Sequence, residues 1–174
     1  MTEMSSSSLI KILSLLEAAD IPVWLDGGWG IDALLEEQSR PHKDADLVMQ
    51  VSDVPQIREL LEKHGFALNQ GSPPNSFVLA NETGLEVDVH AIRFDKHGNG
   101  VYRMENGLDW IYPAEGFSGQ GKIDGHGVQC LSPATQVLCH AEGYPAIEKD
   151  FRDMELLRRR FGVVLPPQLK PKDS

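Results

Sequence analysis

Apolar residues mark out the first element by their spacing. Leu9, Ile12, Leu13 and Leu16 fall at i, i+3, i+4 and i+7, one face of a helix, with Ser8 as its predicted N-cap and a stop near Asp20, before Pro22. A short apolar strand follows at 23–25. Asp26-Gly27-Gly28 then reads as a turn, and 31–35 as helix. Pro41 breaks the connection at 39–43, and 45–51 is a second strand, with Asp44 just before it and Asp46 near its start. Ser52 or Asp53 caps the next helix. Its inner face is Ile57, Leu60, Leu61 and His64, and Gly65 ends it.

The middle of the chain changes period. Residues 66–68 read as a strand, followed by a loop with Gly71, Pro73 and Pro74. Residues 77–80 and 85–92 alternate as an antiparallel pair around Asn81-Glu82-Thr83-Gly84. Between 95 and 121 the periodicity is weak and glycines and aromatics are frequent, which predicts irregular strands and loops lining or covering a site. Asp124-Gly125, flanked by residues 122–123 and 128–130, is a hairpin signal. Ser132-Pro133 opens a helix to about residue 142. A second helix after Pro145 is predicted to face inward with Ile147, Phe151, Met154 and Phe161 and to end at Gly162.

No internal repeat is present. The expected fold is α+β, close to α/β: a mixed sheet of about five strands flanked by helices, with a helical C-terminal part. Three stretches follow: a main domain at 1–130, helices packing on it at 131–165, and a frayed tail at 166–174.

The chemistry concentrates where the pattern is broken. Acidic residues are depleted from strands, yet Asp44 and Asp46 sit one residue apart in one and share a face. Two carboxylates so placed raise each other's pKa unless a cation lies between them, and Mg²⁺ takes oxygen ligands of this kind. In Glu86-Val87-Asp88-Val89-His90, the residues Val87, Val89 and Ala91 face one way, and Glu86, Asp88 and His90 the other. If the two strands are neighbours, Asp88 joins Asp44 and Asp46. Three carboxylates can hold two Mg²⁺ about 3.5–4 Å apart, the spacing of phosphoryl-transfer sites. Asp88 is then the candidate to take the proton from an attacking hydroxyl.

Gly27 and Gly28 let phosphate oxygens approach the backbone at a helix N-terminus. The Asp-x-Asp motif starts 16 residues after Gly28, and together the two features say more than either alone. Asp26 reads equally as a turn residue or a site member. Arg40 and His42 face either a bound phosphate group or solvent, and Lys149 reaches a phosphate or sits in a solvated pair. Tyr102 and Tyr144 are candidates for the acceptor pocket. His90 reads as structural or as part of the site. Trp29, Cys130 and Cys139 read as packing residues.

These motifs carry a resemblance. WLDGGWGIDALL at 24–35, RPHKDAD at 40–46, EVDVHAI at 86–92, VQCLSPATQVLCHAEGY at 128–144 and EKDFRD at 148–153 resemble the small lincosamide nucleotidyltransferases. More distantly they resemble aminoglycoside nucleotidyltransferases and the wide polymerase-β-like nucleotidyltransferase superfamily. The likeness spans about residues 9–160. One departure stands out: the superfamily usually has Gly-Ser at the turn, and here Trp29 follows Gly28. The serine's phosphate contact must come from backbone or elsewhere. The resemblance implies Mg²⁺-dependent transfer of a nucleoside monophosphate, AMP from ATP, to a hydroxyl of a small molecule, a lincosamide, with pyrophosphate leaving. It also implies a homodimer. Two other readings remain: transfer to an aminoglycoside or a protein hydroxyl, as in toxin–antitoxin pairs, and a nucleotide-binding module that no longer catalyses.

Charge and cysteine content narrow the setting. A net charge of -10 argues against nonspecific nucleic-acid binding or an anionic membrane surface. Two cysteines make no disulfide framework and no zinc-finger pair, so free thiols in a reducing cytoplasm are expected.

Overall fold

A computed structural model describes residues 2–170. Five strands form the main sheet in the order β1 (Val23–Asp26), β2 (Asp44–Gln50), β5 (Glu86–Phe94), β4 (Ser76–Asn81), β3 (Phe66–Ser72). Only β2 and β5 run parallel; the other pairs are antiparallel. The far end of β5 continues into β6 (Gly100–Arg103) and β7 (Asp109–Tyr112), so the whole sheet has seven strands rather than the five expected. A separate hairpin, β8 (Gln120–Ile123) with β9 (His126–Gln129), meets the edge of β1 through a bridge between Leu25 and Cys130.

The helices are α1 (Ser6–Ala18), α2 (Gly27–Leu35), α3 (Val54–Glu62), α4 (Pro133–Glu142) and α5 (Glu148–Phe161). Leu9, Ile12, Leu13 and Leu16 of α1 are buried as their spacing requires. They share one core with Leu25, Leu47, Met49, Val87 and Val89 from the sheet. The strand period does the rest. Residues one step away along the same strands point to the opposite face, where Trp24, Val48 and Ile92 pack with Tyr112 and Leu131 in a second, smaller cluster. Further along that face stand the carboxylates.

Several local expectations are corrected. Ser5, not Ser8, caps α1, its hydroxyl accepting from the Ser8 N–H at 3.1 Å. α2 begins at Gly27 directly, because Asp26 caps it by accepting the Gly27 N–H at 2.7 Å. β3 runs on to Ser72; past Phe66 it is exposed and shifts register between Leu68 and Gln70, so no apolar alternation marks it. His64 is exposed rather than inward.

α5 is the most instructive. Ile147 and Phe161 are exposed, and the inner face is Asp150, Asp153, Met154 and Leu157. The helical spacing is right, but two of the inward positions are carboxylates with dedicated partners. The segment Pro167–Leu169 forms a 3₁₀ turn, and Leu165 and Leu169 are buried in the main core, so the frayed tail does not begin at 166. Residues 171–174 of that tail lie outside the described residues. Among the described residues no helix is long and apolar enough to cross a membrane.

Leu169 gives a direct check on the C-terminal packing. Leu169→Ala should lower the unfolding free energy by about 2–5 kcal/mol in urea denaturation. A change below about 0.5 kcal/mol, the scale of a surface substitution, would mean that the segment frays.

Candidate active site

Strand register assembles the acidic face. Asp26 on β1 is the direct partner of Asp46 on β2, and Asp46 is the direct partner of Asp88 on β5. Three carboxylates therefore stand side by side across three adjacent strands. Asp44 lies two residues before Asp46 on the same face, opposite Glu86. The expected meeting of Asp44, Asp46 and Asp88 is present, and Asp26 joins them while also capping α2.

The electrostatics follow from this crowding. Burial, and then the charges of Asp44, Asp26 and Asp88, push Asp46 well above the usual carboxylate range, while Lys149 pulls it down in part. Asp88 is raised by burial and by Asp44, Asp26 and Glu86, with His90 opposing them. Among the described residues no three His, Cys, Asp or Glu side chains stand together as a finished metal cage. An oxygen-only set whose charges raise the pKa of Asp46 and Asp88 fits a hard divalent cation.

The turn presses against this face. Gly27 has φ +60°, and a Cβ there would overlap the Asp46 carboxylate. A Cβ on Gly28 would overlap the His42 ring and crowd the Arg40 guanidinium. The glycines therefore bring the N-terminus of α2 against Asp46 on one side and His42 on the other. Trp29 is buried and lies against the His42 ring, centroids 4.8 Å apart, a packing role as expected.

Arg40 and His42 border the cleft but are already engaged. Arg40 Nη2 donates to Asp153 Oδ2 at 2.8 Å and Nη1 to His42 Nδ1 at 3.1 Å, and His42 Nε2 meets Asp32 Oδ2 at 2.5 Å. His42 thus has no free ring nitrogen for a phosphate. Lys149, in the first turn of α5, is exposed and borders the cleft. Tyr144 also borders it and donates its hydroxyl to Asp150 Oδ1 at 3.0 Å.

The cleft is a cavity of about 1000 Å³ with the four aspartates on one side. The weakly periodic region supplies an aromatic wall from β6 and β7: Tyr102, Trp110 and Tyr112, with Met104 beside them. Burial and the Asp26 charge keep the Tyr112 phenol neutral. His90 borders the cleft with its ring edge-on to Tyr102 at 5.3 Å. Cys139 borders it too, rather than lying in the main core, and Cys130 is buried with its thiol pushed up to about 12. Sequence reasoning missed Trp110, Tyr112, Asp32 and Asp153. The alternation in Asp109-Trp110-Ile111-Tyr112 could have placed the first two on one face; nothing marked the two aspartates beyond their position on otherwise apolar helix faces.

A helix that starts on a Gly-Gly turn, packed against an Asp-x-Asp strand whose parallel neighbour carries a third aspartate, is the architecture of a polymerase-β-like nucleotidyltransferase. The sequence profile of the aminoglycoside-2''-adenylyltransferase family matches residues 8–157, and the chain belongs to that family. A lincosamide resistance protein from Staphylococcus haemolyticus is 29% identical over 154 residues, 88% of this chain and 94% of that one. The crystal structure of the lincosamide antibiotic adenylyltransferase LnuA, lincomycin-bound, superposes with a TM-score of 0.79 at 27% identity, covering 90% of this chain and 98% of LnuA. ANT(2'')-Ia in complex with adenylyl-2''-tobramycin shares the fold at a TM-score of 0.71 and 20% identity, over 88% and 87% of the two chains. The chain is a nucleotidyltransferase, and its co-substrate is a nucleoside triphosphate.

The crowding has a measurable cost in stability. A carboxyl whose pKa is raised on folding stabilises the fold below the ordinary carboxylate range, and that contribution is lost as pH rises through the raised value. In chelator at pH 7, Asp46→Asn should therefore melt higher than the parent chain, by a few degrees for about 1 kcal/mol, and the gap should close toward pH 4. A variant that melts lower at pH 7 would show that the Asp46 charge is compensated within the protein.

Proposed function

We propose that this protein transfers AMP from ATP to a hydroxyl of a lincosamide antibiotic, with pyrophosphate as the second product. The observation that carries the reading is the placement of Asp46 between Asp26 and Asp88, directly against the Gly27 backbone. Whatever binds at the N-terminus of α2 lies beside the carboxylates.

The chain's own groups divide the work. Free N–H groups at the start of α2 receive phosphate oxygens, and Lys149 of α5, which borders the same cleft, supplies a positive charge to them. Asp44, Asp46 and Asp88 would hold the divalent cations, two in this reading, which neutralise phosphate charge when bound. Asp88 takes the proton from the acceptor hydroxyl. The acceptor oxygen then bonds to the α-phosphorus as the bond from that phosphorus to the pyrophosphate oxygen breaks. Tyr102, Trp110 and Tyr112 offer flat apolar surface to the acceptor, and the exposed Glu142, which also borders the cleft, suits an amine on it. An aminoglycoside is the second reading, favoured by the same acidic surround. The aromatic wall fits a lincosamide better, since a polycationic aminosugar has little apolar surface to cover. Free thiols at Cys130 and Cys139 agree with work in a reducing cytoplasm. A homodimer fits the exposed Ile147 and Tyr144, of which Tyr144 borders the cleft.

A mass-shift assay tests the assignment. Purified protein, Mg²⁺ and each ribonucleoside triphosphate are mixed with a panel of lincosamides and aminoglycosides. An AMP adduct on lincomycin or clindamycin is expected, and adducts on aminoglycosides alone would move the acceptor to the second reading. Asp88→Asn should lower kcat by about 10²–10⁴ while triphosphate binding persists. In chelator Asp88 should titrate above the ordinary aspartate value, because burial and the neighbouring carboxylates raise it, and Mg²⁺ should lower that value. A carboxyl titration followed by NMR that Mg²⁺ leaves unchanged would remove Asp88 from the cation site.

A further inference from the structure

The Gly27–Gly28 turn has a buttress that the transfer chemistry leaves unexplained. Asp32 on α2 and Asp153 on α5 are 1% and 2% exposed and are not among the residues bordering the cleft. Each nevertheless holds a cleft residue. Asp32 Oδ1 accepts the Ser39 hydroxyl at 2.6 Å, and its Oδ2 meets His42 Nε2. Asp153 takes the Arg40 fork on both oxygens, from Nε at 3.3 Å and Nη2 at 2.8 Å. Arginine has only donors, so Arg40 Nη1 must donate to His42 Nδ1, and His42 carries its proton on Nε2, where Asp32 accepts it.

Both oxygens of each aspartate and both ring nitrogens of His42 are engaged, and all three Arg40 nitrogens donate within the network. The His42 ring is fixed at both nitrogens, with Trp29 on one side and Gly28 on the other. The turn can move no closer to the ring than the absent Cβ of Gly28 allows. At the other end, Asp153 follows Lys149 by four residues on α5, one helical turn along the same face.

We infer that Asp32, His42, Arg40 and Asp153 form a brace that sets the turn and the start of α5 together, so that the turn's N–H groups and the Lys149 ammonium meet the same triphosphate. Asp32 and Asp153 are then positioning residues for triphosphate binding that touch no substrate. Arg40 serves through the shape of its fork, not through its charge on a phosphate. The inference rests on the turn being the triphosphate site.

Calorimetric titration with Mg²⁺ and a non-hydrolysable ATP analogue separates the two. If the parent protein binds no analogue, the triphosphate reading fails before the brace is in question. With parent binding in hand, Asp153→Asn and Arg40→Lys should each weaken the analogue by about tenfold, and the double variant should be no weaker than the worse single, since both remove one pair. The KM for the acceptor should stay within about twofold. Arg40→Lys keeps the charge and loses the fork, so retained affinity there would assign Arg40 a direct charge role and overturn the brace. A lowered melting temperature with unchanged analogue affinity would also overturn it, because packing alone behaves that way. Should Asp153→Asn fail to fold, Ser39→Ala, which removes one hydroxyl at the edge of the network, decides: about threefold weaker binding supports the brace, and unchanged binding overturns it.

Discussion

Three carboxylates on three neighbouring strands repel one another, and the rest of this structure is arranged around that repulsion. Asp26, Asp46 and Asp88 are held abreast by backbone register, which no side chain can adjust. Asp46 feels it most, being buried in the middle. The fold tolerates the arrangement because the other face of the same strands is wholly apolar. Leu25, Leu47 and Val89, one step along from the aspartates, are completely buried beneath the helices. A strand cannot move its carboxylates apart without moving these core residues too. The strain is therefore stored at a site where a cation with phosphate oxygens can relieve it.

The turn and the terminal helix complete that site from two directions. Gly27 lies so close to Asp46 that a side chain is excluded, which places the start of α2 over the acidic face. α5 arrives from the far end of the chain and is fixed by buried carboxylates at two levels. Asp150 accepts from the Ile147 N–H at 2.8 Å and from Tyr144, and Asp153 takes Arg40. Helix propensity explains little of this. Gly-Gly-Trp-Gly is a poor helix start, yet Trp29, Gly30, Ile31 and Asp32 are buried in a helix, so tertiary packing has overridden local preference.

Much of this was legible in the sequence, and the limits have physical causes. A period of two in residues 86–92 was enough to place Asp88 opposite the core, and Asp-x-Asp was conspicuous because strands rarely carry it. α4 and its Ser132 cap were readable because capping chemistry is local. What failed was non-local. β3 beyond Phe66 is an exposed edge with no apolar rhythm, and its existence depends on pairing with β4. The inner face of α5 was misread because Asp150 and Asp153 look like surface residues until their partners, Tyr144 and Arg40, are brought to them. Arg40 and His42 border the cleft, but their engagement with Asp32 and Asp153 joins residues up to 113 positions apart, and no spacing rule spans that.

The most direct test is to count the cations. Mn²⁺, which substitutes for Mg²⁺ at oxygen sites, can be titrated by electron paramagnetic resonance into the protein saturated with a non-hydrolysable ATP analogue. The account predicts two bound Mn²⁺ per chain, and the loss of at least one in Asp46→Asn. No protein-bound Mn²⁺ beyond what the free nucleotide holds would contradict the claim that the strand register builds a cation-dependent triphosphate site.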